Sequence, residues 1–405
     1  VLSFLLSLSL FSFLEIRAPI FNVLFLISGN GLEADDDLKS RHPYKEWMEK
    51  NVRRLVPFED LPDEEVGSSE LDDDTLASYQ KQFNYSAEEL DSVIRVLGEN
   101  GQEAVGSMGD DTPFAVLSSQ PRIIYDYFRQ QFAQVTNPPI DPLREAHVMS
   151  LATSIGREMN VFCEAEGQAH RLSFKSPILL YSDFKQLTTM KEDHYRADTL
   201  DITFDVTKTT LEATVKELCD KAEKMVRSGT VLLVLSDRNI AKDRLPVPAP
   251  MAVGAIQTRL VEQSLRCDAN IIVETASARD PHHFAVLLGF GATAIYPYLA
   301  YETLGRLVDT HAIAKDYRTV MLNYRNGINK GLYKIMSKMG ISTIASYRCS
   351  KLFEAVGLHD DVVGLCFQGA VSRIGGASFE DFQQDLLICR NVPGWRASPS
   401  ARAAC

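Results

Sequence analysis

The sequence predicts an α/β fold: a parallel sheet with βαβ crossovers, built as an open sheet or a partial barrel and preceded by a small helical connector. From residue 176 onward, short apolar runs alternate with longer amphipathic stretches. Two of the runs, at 231–235 (VLLVL) and 271–273 (IIV), are apolar without a break, which is typical of strands buried on both faces. Strands and helices that alternate in this way favour parallel pairing with right-handed crossovers.

A series of segments carries this alternation, beginning and ending on a strand pattern, with a helix pattern between each pair of strands. In chain order they are DITFDV (201–206), TLEATVKELCDKAEKMVRSG (210–229), TVLLVLSD (230–237), APMAVGAIQTRLVEQSLRC (249–267), ANIIVETA (269–276), HHFAVLLGFG (282–291) and ATAIYPYL (292–299).

Residues 34–120 predict an acidic connector with a small helical subdomain. Acids dominate its first part, in the runs EADDD, EDLPDEE and ELDDD. Further on, Ser86 stands where the N-cap of a helix is expected, and Gly98 predicts the end of that helix. The central α/β domain is predicted to follow at residues 121–360. At its start, Pro121 predicts the first turn of a helix with an apolar stripe running as far as Phe132.

The two ends of the chain differ in composition from the middle. Residues 1–33 are strongly apolar, but Glu15, Arg17 and Pro19 divide them into runs shorter than the ~20 residues that span a bilayer. We expect an artefact of the gene model there; a membrane anchor or a secretion signal is the alternative. Residues 388–405 are rich in Arg, Ala, Ser and Pro, which predicts a divergent, disordered tail.

Charge and cysteine usage narrow the functional class. The formal net charge is −12, so the chain lacks the basic footprint that nucleic acid or an anionic membrane surface requires. The cysteines are scattered without a CxxC pair, which argues against a disulfide framework, a zinc site or an iron–sulfur cluster. Buried thiols in the reducing cytoplasm are the favoured interpretation. The cysteines are Cys163, Cys219, Cys267, Cys349, Cys366, Cys389 and Cys405.

Polar residues follow each predicted strand, at the edge where parallel α/β folds bind ligands. A ring of such residues could hold a phosphate, a carboxylate or a divalent metal. Because loops after strands routinely end in helix caps, we favour caps and turns. The residues are Asp205, Ser236, Asp237, Arg238, Glu274, Thr275 and Tyr296.

Two further motifs resemble known sites only in part. Asp280, His282 and His283 suggest a metal site, but adjacent histidines point in different directions, and Asp-Pro-His-His is also an ordinary helix opening with Asp280 as N-cap. We favour the cap. Gly289 and Gly291 lie between a helix and a strand, the reverse of the order in a dinucleotide fingerprint, and predict a helix C-cap.

A glycine-rich loop at 106–111 could accept a neighbouring backbone closely or bind a cation, and a solvated turn is the favoured alternative. Taken together, the residues predict no catalytic, cofactor-binding or metal-binding side chain. The loop residues considered are Gly106, Met108, Gly109, Asp110 and Asp111.

Several long blocks, read together, resemble the large subunit of the glutamate synthases. Long blocks in a fixed order are far more specific than any short motif. The resemblance covers residues 33–387. The blocks are GSMGDDTPFAVLSSQPRIIYDYFRQQFAQVTNPPIDPLRE (106–145), ADTLDITFD (197–205), VETASARDPHHFAVLLGFGATAIYPYLAYE (273–302), YRNGINKGLYKIMSKMGISTIASYRCSKLFEAVGL (324–358) and SRIGGASFEDFQQDL (372–386).

The resemblance implies the central domain of such an enzyme. Proteins of this family release ammonia from glutamine at an amidotransferase domain. They combine it with 2-oxoglutarate at a synthase domain that carries FMN and an iron–sulfur cluster, with electrons from a small subunit or ferredoxin. The central domain links the two sites, and residues 361–387 would begin the approach to the flavin synthase domain. No residue here matches a catalytic or cofactor-binding position of the family, so we expect this chain alone to bind neither cofactor and to be inactive.

Two other functional classes remain open at this stage. One is an independent α/β binding module or a metal-dependent hydrolase that uses Asp205, Asp237, Glu274 and His282. The other is a membrane-anchored or secreted protein, suggested by residues 1–28.

Overall fold

A computed structural model of the chain describes residues 39–62, 71–106, 111–136 and 142–391. The predicted apolar segment at 1–33 and nearly all of the predicted tail lie outside the described residues. The helices are α1 (Tyr44–Asn51), α2 (Asp73–Gln82), α3 (Ala87–Glu89), α4 (Arg95–Asn100), α5 (Pro142–Val148), α6 (Tyr181–Thr188), α7 (Leu211–Arg227), α8 (Ala249–Glu262), α9 (Pro281–Gly289), α10 (Tyr298–Asp309), α11 (Tyr317–Met339), α12 (Ile344–Tyr347), α13 (Asp360–Cys366) and α14 (Phe379–Arg390).

Between these helices, short strands pair to form several sheets. The strands are β1 (Arg53–Arg54), β2 (Phe128–Gln130), β3 (Thr153–Ile155), β4 (Leu172–Phe174), β5 (Ala197–Asp201), β6 (Thr203–Asp205), β7 (Leu232–Ser236), β8 (Arg244–Pro246), β9 (Asn270–Glu274), β10 (Ala294–Tyr296), β11 (Phe353–Leu358) and β12 (Val371–Ala377).

The predicted parallel sheet is present. Its strands lie in the order β10-β9-β7-β5, and each neighbouring pair is parallel. Ile178 extends the β10 side of the sheet through a parallel bridge to Ile295. Among the described residues the sheet does not close into a barrel, which agrees with both predicted forms, an open sheet or a partial barrel. All residues of β7 and β9 are buried, as their unbroken apolar runs predicted.

Amphipathic helices cover the sheet, and α7 shows why the sequence forms them. Thr210 caps its N-terminus, where the side-chain oxygen accepts a hydrogen bond from the backbone N–H of Ala213 at 3.3 Å. The buried side chains then recur at helical spacing along one face. They are Leu211, Thr214, Val215, Leu218, Cys219, Ala222 and Val226.

The first strand of the sheet differs from its prediction. DITFDV is not the sheet strand; β5 ends at Asp201, where the Asp201 carboxylate accepts the backbone N–H of Thr203 at 2.8 Å and turns the chain. The next residues form β6, which pairs antiparallel with β8 outside the sheet. Because β5 is an edge strand with one fully buried side chain, Leu200, it lacks the apolar run that marks a central strand.

The helix predicted after Pro121 is also wrong. Ile124–Tyr127 form a short 3-10 turn, and the chain then extends into β2, which pairs antiparallel with β11. Phe128 is fully buried in that strand, whereas Phe132 is 55% exposed. A strand pairing across more than two hundred residues overrides the local helical pattern. The resulting sheet has the order β12-β11-β2, and a further small sheet has the order β1-β4-β3.

The predicted helical connector packs on the α/β region. Ser86 is the N-cap as predicted, in a capping box with Glu89. Gly98 does not end the helix, which continues through a π-turn and α4 to Gly101 in a left-handed conformation. Gly98 instead allows close contact with α10, because a Cβ atom there would lie 2.5 Å from Leu304 Cδ2.

A buried arginine joins the connector to the sheet. Arg279, in the loop between β9 and α9, is 2% exposed. Its Nε donates to Glu89 Oε1 at 2.8 Å, and two of its N–H groups donate to the carbonyls of Phe83 and Asn84 at 3.1 and 3.0 Å. The guanidinium also lies 4.3 Å from the centre of the Tyr85 ring.

The last described residues belong to the same body. Helix α14 contacts α2, α7, β8 and β12, and it continues to Arg390, beyond the predicted boundary at 387. Helix α13 lies against α8, and a Cβ atom at Gly254 would come 1.9 Å from the carbonyl oxygen of Cys366. In the part of the chain that the structure describes, no helix is both long and apolar enough to cross a membrane.

We expect Arg279→Met to lower the free energy of unfolding by about 3 kcal/mol or more, because it leaves the Glu89 carboxylate and two carbonyls without their donor. Urea unfolding of the full chain measures this. Arg53→Met is the matched control: Arg53 pairs with Glu192, both side chains are about half exposed, and we expect a cost below about 1 kcal/mol. Equal costs for the two variants would contradict a docking role for Arg279.

Candidate functional site

The carboxyl edge of the parallel sheet brings most of the sequence-predicted residues together. Strand pairing places Asp201, Ser236, Glu274 and Tyr296 side by side in one row. Asp237 follows this row directly and is 1% exposed.

Glu274 is fully engaged within the chain. Its Oε2 accepts the Ser236 hydroxyl at 2.6 Å, and its Oε1 accepts Arg238 Nε at 2.7 Å. The Arg238 guanidinium also lies 4.4 Å from the centre of the Tyr298 ring. Burial lowers the pKa of Arg238, but the Glu274 carboxylate outweighs it and the pKa is raised overall. The pair is a charge-assisted contact that fixes the Arg238 side chain at this edge.

Asp237 occupies a different environment a few ångströms along the edge. The Thr275 hydroxyl donates to its Oδ2 at 2.5 Å, and the backbone N–H of Ala276 donates to its Oδ1 at 3.1 Å. Burial nevertheless raises the pKa of Asp237 to about 7. A carboxyl group with this pKa has the proton affinity of a general acid or base, so access to it decides what it can do.

Tyrosine side chains close that access. We call Tyr79, Tyr85 and Tyr125 the tyrosine cap. Tyr79 donates its hydroxyl to the Arg238 carbonyl at 2.7 Å, and Tyr85 donates to the Ala276 carbonyl at 2.8 Å. The Tyr125 hydroxyl shares a hydrogen bond of 2.8 Å with Ser277 Oγ. The edge that binds ligands in many α/β proteins is thus covered by the chain's own connector and by the 3-10 turn at Ile124–Tyr127.

Asp205 does not belong to this edge, so its predicted place is wrong. It lies in β6, where its Oδ2 is 2.7 Å from Lys208 Nζ and its Oδ1 accepts the backbone N–H of Thr207 at 3.0 Å. The Lys208 and Thr207 contacts hold the pKa of Asp205 down, at about 2. Asp201 takes the position at the end of the first sheet strand instead.

Tyr296 is on the edge but serves packing. Its ring stacks on Phe184 with the centroids 4.6 Å apart, and it lies 5.9 Å from the ring of Tyr301. Burial raises its pKa well above the ordinary value, so the phenol stays neutral.

Asp280 is the N-cap of α9, as predicted, and accepts the backbone N–H of His283 at 3.1 Å. Both ring nitrogens of His282 have partners: Nδ1 is 3.1 Å from Gln130 Nε2, and Nε2 is 3.1 Å from the Tyr125 carbonyl. His283 is buried, and burial lowers its pKa to about 4. His282 and His283 therefore hold the loop before α9 in place.

The predicted glycine C-cap is confirmed at Gly291, which has φ of +127° and follows the end of α9. Gly289 is the last residue of that helix and touches Phe353, where a Cβ atom would lie 2.5 Å from Cε2. In the glycine-rich loop, residues 107–110 lie outside the described residues. Gly106 has no heavy atom near its Cβ position, and Asp111 is exposed.

The four residues of the metal-dependent alternative do not converge. Asp205 is outside the parallel sheet, and the polar atoms of Asp237, Glu274 and His282 bond to other groups. Across the described ranges, no group of three or more His, Cys, Asp and Glu side chains is arranged to hold a metal ion.

A groove opens beside the tyrosine cap, between the Pro246–Pro250 segment and α14. Its ionisable side chains include Arg122, Asp385 and Cys389. Burial raises the pKa of Cys389 to about 11, so its thiol stays protonated and is not a nucleophile at neutral pH. The groove is otherwise lined mainly by proline and apolar side chains, with no paired acid and base.

Sequence reasoning missed the Glu89–Arg279 pair and the tyrosine cap. Glu89 carried a partial signal, because it is the N3 acid of a capping box that begins at Ser86. The cap residues carried none, since each bonds to a residue more than 150 positions away.

Comparison with known proteins assigns the family. The sequence model described as "Glutamate synthase central domain" matches residues 78–359. This chain belongs to the glutamate synthase central domain family.

Glutamate synthases of several organisms align along most of the chain. "Glutamate synthase [NADH]" of Schizosaccharomyces pombe is 37% identical over 369 residues, covering 88% of this chain and 17% of that protein. "Ferredoxin-dependent glutamate synthase, chloroplastic" of Oryza sativa is 38% identical over 370 residues, covering 88% and 22%. "Glutamate synthase [NADPH] large chain" of Bacillus subtilis is 36% identical over 353 residues, covering 87% and 23%. The chain thus spans about a fifth of the length of these relatives.

Among solved structures, a flavocytochrome b2 matches 76% of this chain and 92% of its own, with a TM-score of 0.30 and 8% identity. A similarity this weak carries no argument about fold or function.

The raised pKa of Asp237 predicts a pH-dependent cost that an amide removes. The folded chain holds a proton on Asp237 that the unfolded chain releases. The stabilisation from this proton is therefore full at low pH and is lost as pH rises through about 7. The amide of Asp237→Asn does not titrate, so the variant does not lose stability in this way. From about pH 5 to about pH 8 we expect its stability to rise by about 2 to 3 kcal/mol relative to the original chain.

Urea unfolding at a series of pH values measures this difference. Asp243→Asn is the control, because Asp243 is exposed and lies 3.7 Å from Arg390. A difference for Asp237→Asn that stays constant with pH would show that Asp237 is ionised throughout.

His283 predicts a pH dependence of the opposite sign. Its folded pKa of about 4 lies below that of the unfolded chain, so protonation favours unfolding as pH falls through about 6.5. Glutamine keeps an acceptor for the Arg279 backbone N–H but does not titrate. Between about pH 7 and about pH 4.5, we expect His283→Gln to lose about 2 kcal/mol less stability than the original chain. His147→Gln, at an exposed position, should follow the original chain.

Proposed function

We propose that this chain is the part of a glutamate synthase that holds the amidotransferase site and the flavin synthase site in a fixed relation, and that it performs no chemistry itself. The observation that carries this proposal is the closed carboxyl edge of the sheet. The tyrosine cap and the bonded pairs at Glu274 and Asp237 fill the place where a substrate would bind. The described residues therefore form a packed body of the glutamate synthase central domain family whose carboxyl sheet edge is closed.

The reaction of the whole enzyme belongs to the same proposal. It makes L-glutamate from glutamine-derived ammonia and 2-oxoglutarate, and it is an oxidoreductase. The relatives support this through their printed names, which give NADH, ferredoxin and NADPH as donors. Because all three align at 36–38% identity, this region does not discriminate between a small electron-transfer subunit and ferredoxin as the partner.

The described residues do not fit the family's cofactors. An iron–sulfur cluster needs several thiolates at one point, whereas Cys219 and Cys366 are buried with raised pKa values, and no three cysteines converge within the described ranges. A flavin phosphate would need open backbone N–H groups at the carboxyl edge, where the tyrosine cap lies. We therefore assign FMN and the cluster to other domains of the parent enzyme.

The proposed domain limits are those that the sequence predicts. Residues 34–120 form the connector, residues 121–360 the α/β domain, and residues 361–387 lead toward the flavin synthase domain while still packing on α8 and α7. A cytoplasmic location is part of the proposal and agrees with free thiols at the described cysteines, of which Cys219 and Cys366 are buried. The partners are the two flanking domains.

A first experiment tests inactivity. The purified chain should neither hydrolyse glutamine nor show flavin absorbance in the visible region. Ammonia release from glutamine or a bound flavin would overturn the assignment of both chemistries to other domains.

A replacement experiment tests the linking role. Residues 71–391 are substituted for the aligned region of the Bacillus subtilis large chain, and glutamine hydrolysis, ammonia-dependent synthesis and glutamine-dependent synthesis are measured separately. We expect glutamine consumption and synthesis to stay near a one-to-one ratio. If hydrolysis and ammonia-dependent synthesis both proceed while glutamine-dependent synthesis fails, the linking role is wrong. Asp243→Asn, at an exposed position within the substituted segment, serves as the control for a tolerated change.

A further inference from the structure

The amino-terminal edge of the parallel sheet carries a group of arginines. We call Arg171, Arg266 and Arg348 the arginine cluster. Arg266 precedes β9, and Arg348 follows α12. The residues just after Arg348 donate backbone hydrogen bonds to the last residues of α9. This edge is opposite the closed carboxyl edge, so the cluster is separate from the groups described above.

Two members of the cluster are held by backbone carbonyls. Arg266 Nη1 donates to the Ala269 carbonyl at 2.6 Å, and its Nη2 donates to the Gly291 carbonyl at 3.2 Å. Arg171 Nη1 donates to the Gly156 carbonyl at 2.9 Å. Neutral acceptors fix these two guanidinium groups in place, and Glu158, 4.0 Å from Arg171 Nη2, is the acid that the structure pairs with Arg171.

Arg348 has no such partner. Its guanidinium makes no hydrogen bond, ion pair or ring contact with any residue of the described ranges, although the side chain is half-buried. The backbone around it is fixed, because the N–H groups of Cys349 and Lys351 donate to the carbonyls of Leu288 and Gly289 at 3.1 Å each. Both residues have positive φ, 60° and 53°, a conformation that other amino acids than glycine rarely adopt. The side chain is therefore held in place without a counter-charge.

The surroundings add more positive charge than they balance. Burial lowers the pKa of Arg348, the charges of Arg266 and Arg171 lower it further, and Glu158 only partly opposes them. Glu158 opposes the cluster from 4.0 Å away at Arg171, with 63% of its side chain exposed. Because the chain as a whole has a net charge of −12, this concentration of arginine is a local exception. An unpaired, partly desolvated guanidinium costs stability unless an anion joins it.

We propose that Arg348, with Arg171 and Arg266 beside it, binds a small oxyanion, either a phosphate or a carboxylate. The planar fork of an arginine matches two oxygens of such an anion, and the backbone-held neighbours supply a fixed positive field. Arg348 is a binding residue here and takes no part in a chemical step. The site is independent of the proposed linking function.

Thermal unfolding of the full chain tests this site with two probes, inorganic phosphate and succinate, each titrated at constant ionic strength against sodium chloride. We expect at least one anion to raise the midpoint in a saturable way. Arg348→Gln should weaken the apparent affinity at least about tenfold. Arg373→Gln is the matched control, because Arg373 is 72% exposed and pairs with Glu354. It should titrate like the original chain.

A second readout separates binding from a structural role. Without added anion, Arg348→Gln should unfold at the same or a higher temperature, since it removes an unpaired charge. Arg348→Lys keeps the charge but loses the fork, and should fold normally with weakened binding. The proposal is overturned if neither anion gives a saturable rise in the original chain, or if Arg348→Gln retains the full rise. The stronger of the two probes identifies the oxyanion.

Discussion

The buried guanidinium of Arg279 is the constraint on which the arrangement of this domain depends. A charge that is 2% exposed must have partners inside the protein, and here Glu89 and the carbonyls of Phe83 and Asn84 are those partners. All of them belong to the connector, whereas Arg279 belongs to the loop after β9. Glu89 also completes the capping box at Ser86, so one side chain both begins a helix and anchors it to the sheet. Connector and sheet are therefore one folded unit.

Fixing the connector determines what the carboxyl edge of the sheet can do. With α2 and the residues after Pro121 held in place, the tyrosine cap reaches Arg238, Ala276 and Ser277 and turns that edge into protein interior. Polar groups at such an edge need partners once water is excluded, and Glu274 and Asp237 find them on the neighbouring strand or in the loop that follows it. The result resembles a ligand site in composition but is a satisfied core.

Local signals were sufficient for part of this structure. The strands β7, β9 and β10 and the caps at Ser86 and Asp280 follow from apolar runs and short-range hydrogen bonding, and so does the meeting of Asp237 with Glu274 and Thr275 at one sheet edge. The edge strand β5 was missed because its exposed face removes the apolar run, and β2 because its partner β11 lies more than two hundred residues away. The tyrosine cap and Arg279 depend on contacts between residues that are also far apart in the sequence, which no local pattern encodes.

The two edges of the sheet have opposite electrostatic states, and this contrast follows from how each is covered. At the carboxyl edge the carboxyl groups of Glu274 and Asp237 bond to groups from the neighbouring strand or the loop after it, because a buried charge or polar group without a partner is costly. At the amino edge the described residues supply neutral carbonyls to Arg171 and Arg266, a largely exposed carboxylate at Glu158 to Arg171, and no partner to the guanidinium of Arg348. A half-buried charge can persist unpaired within the chain only where solvent or an outside group can reach it. The amino edge is therefore the side on which this domain can accept a ligand. The polar groups of the carboxyl edge instead bond to one another and to the connector, and so stabilise the fold.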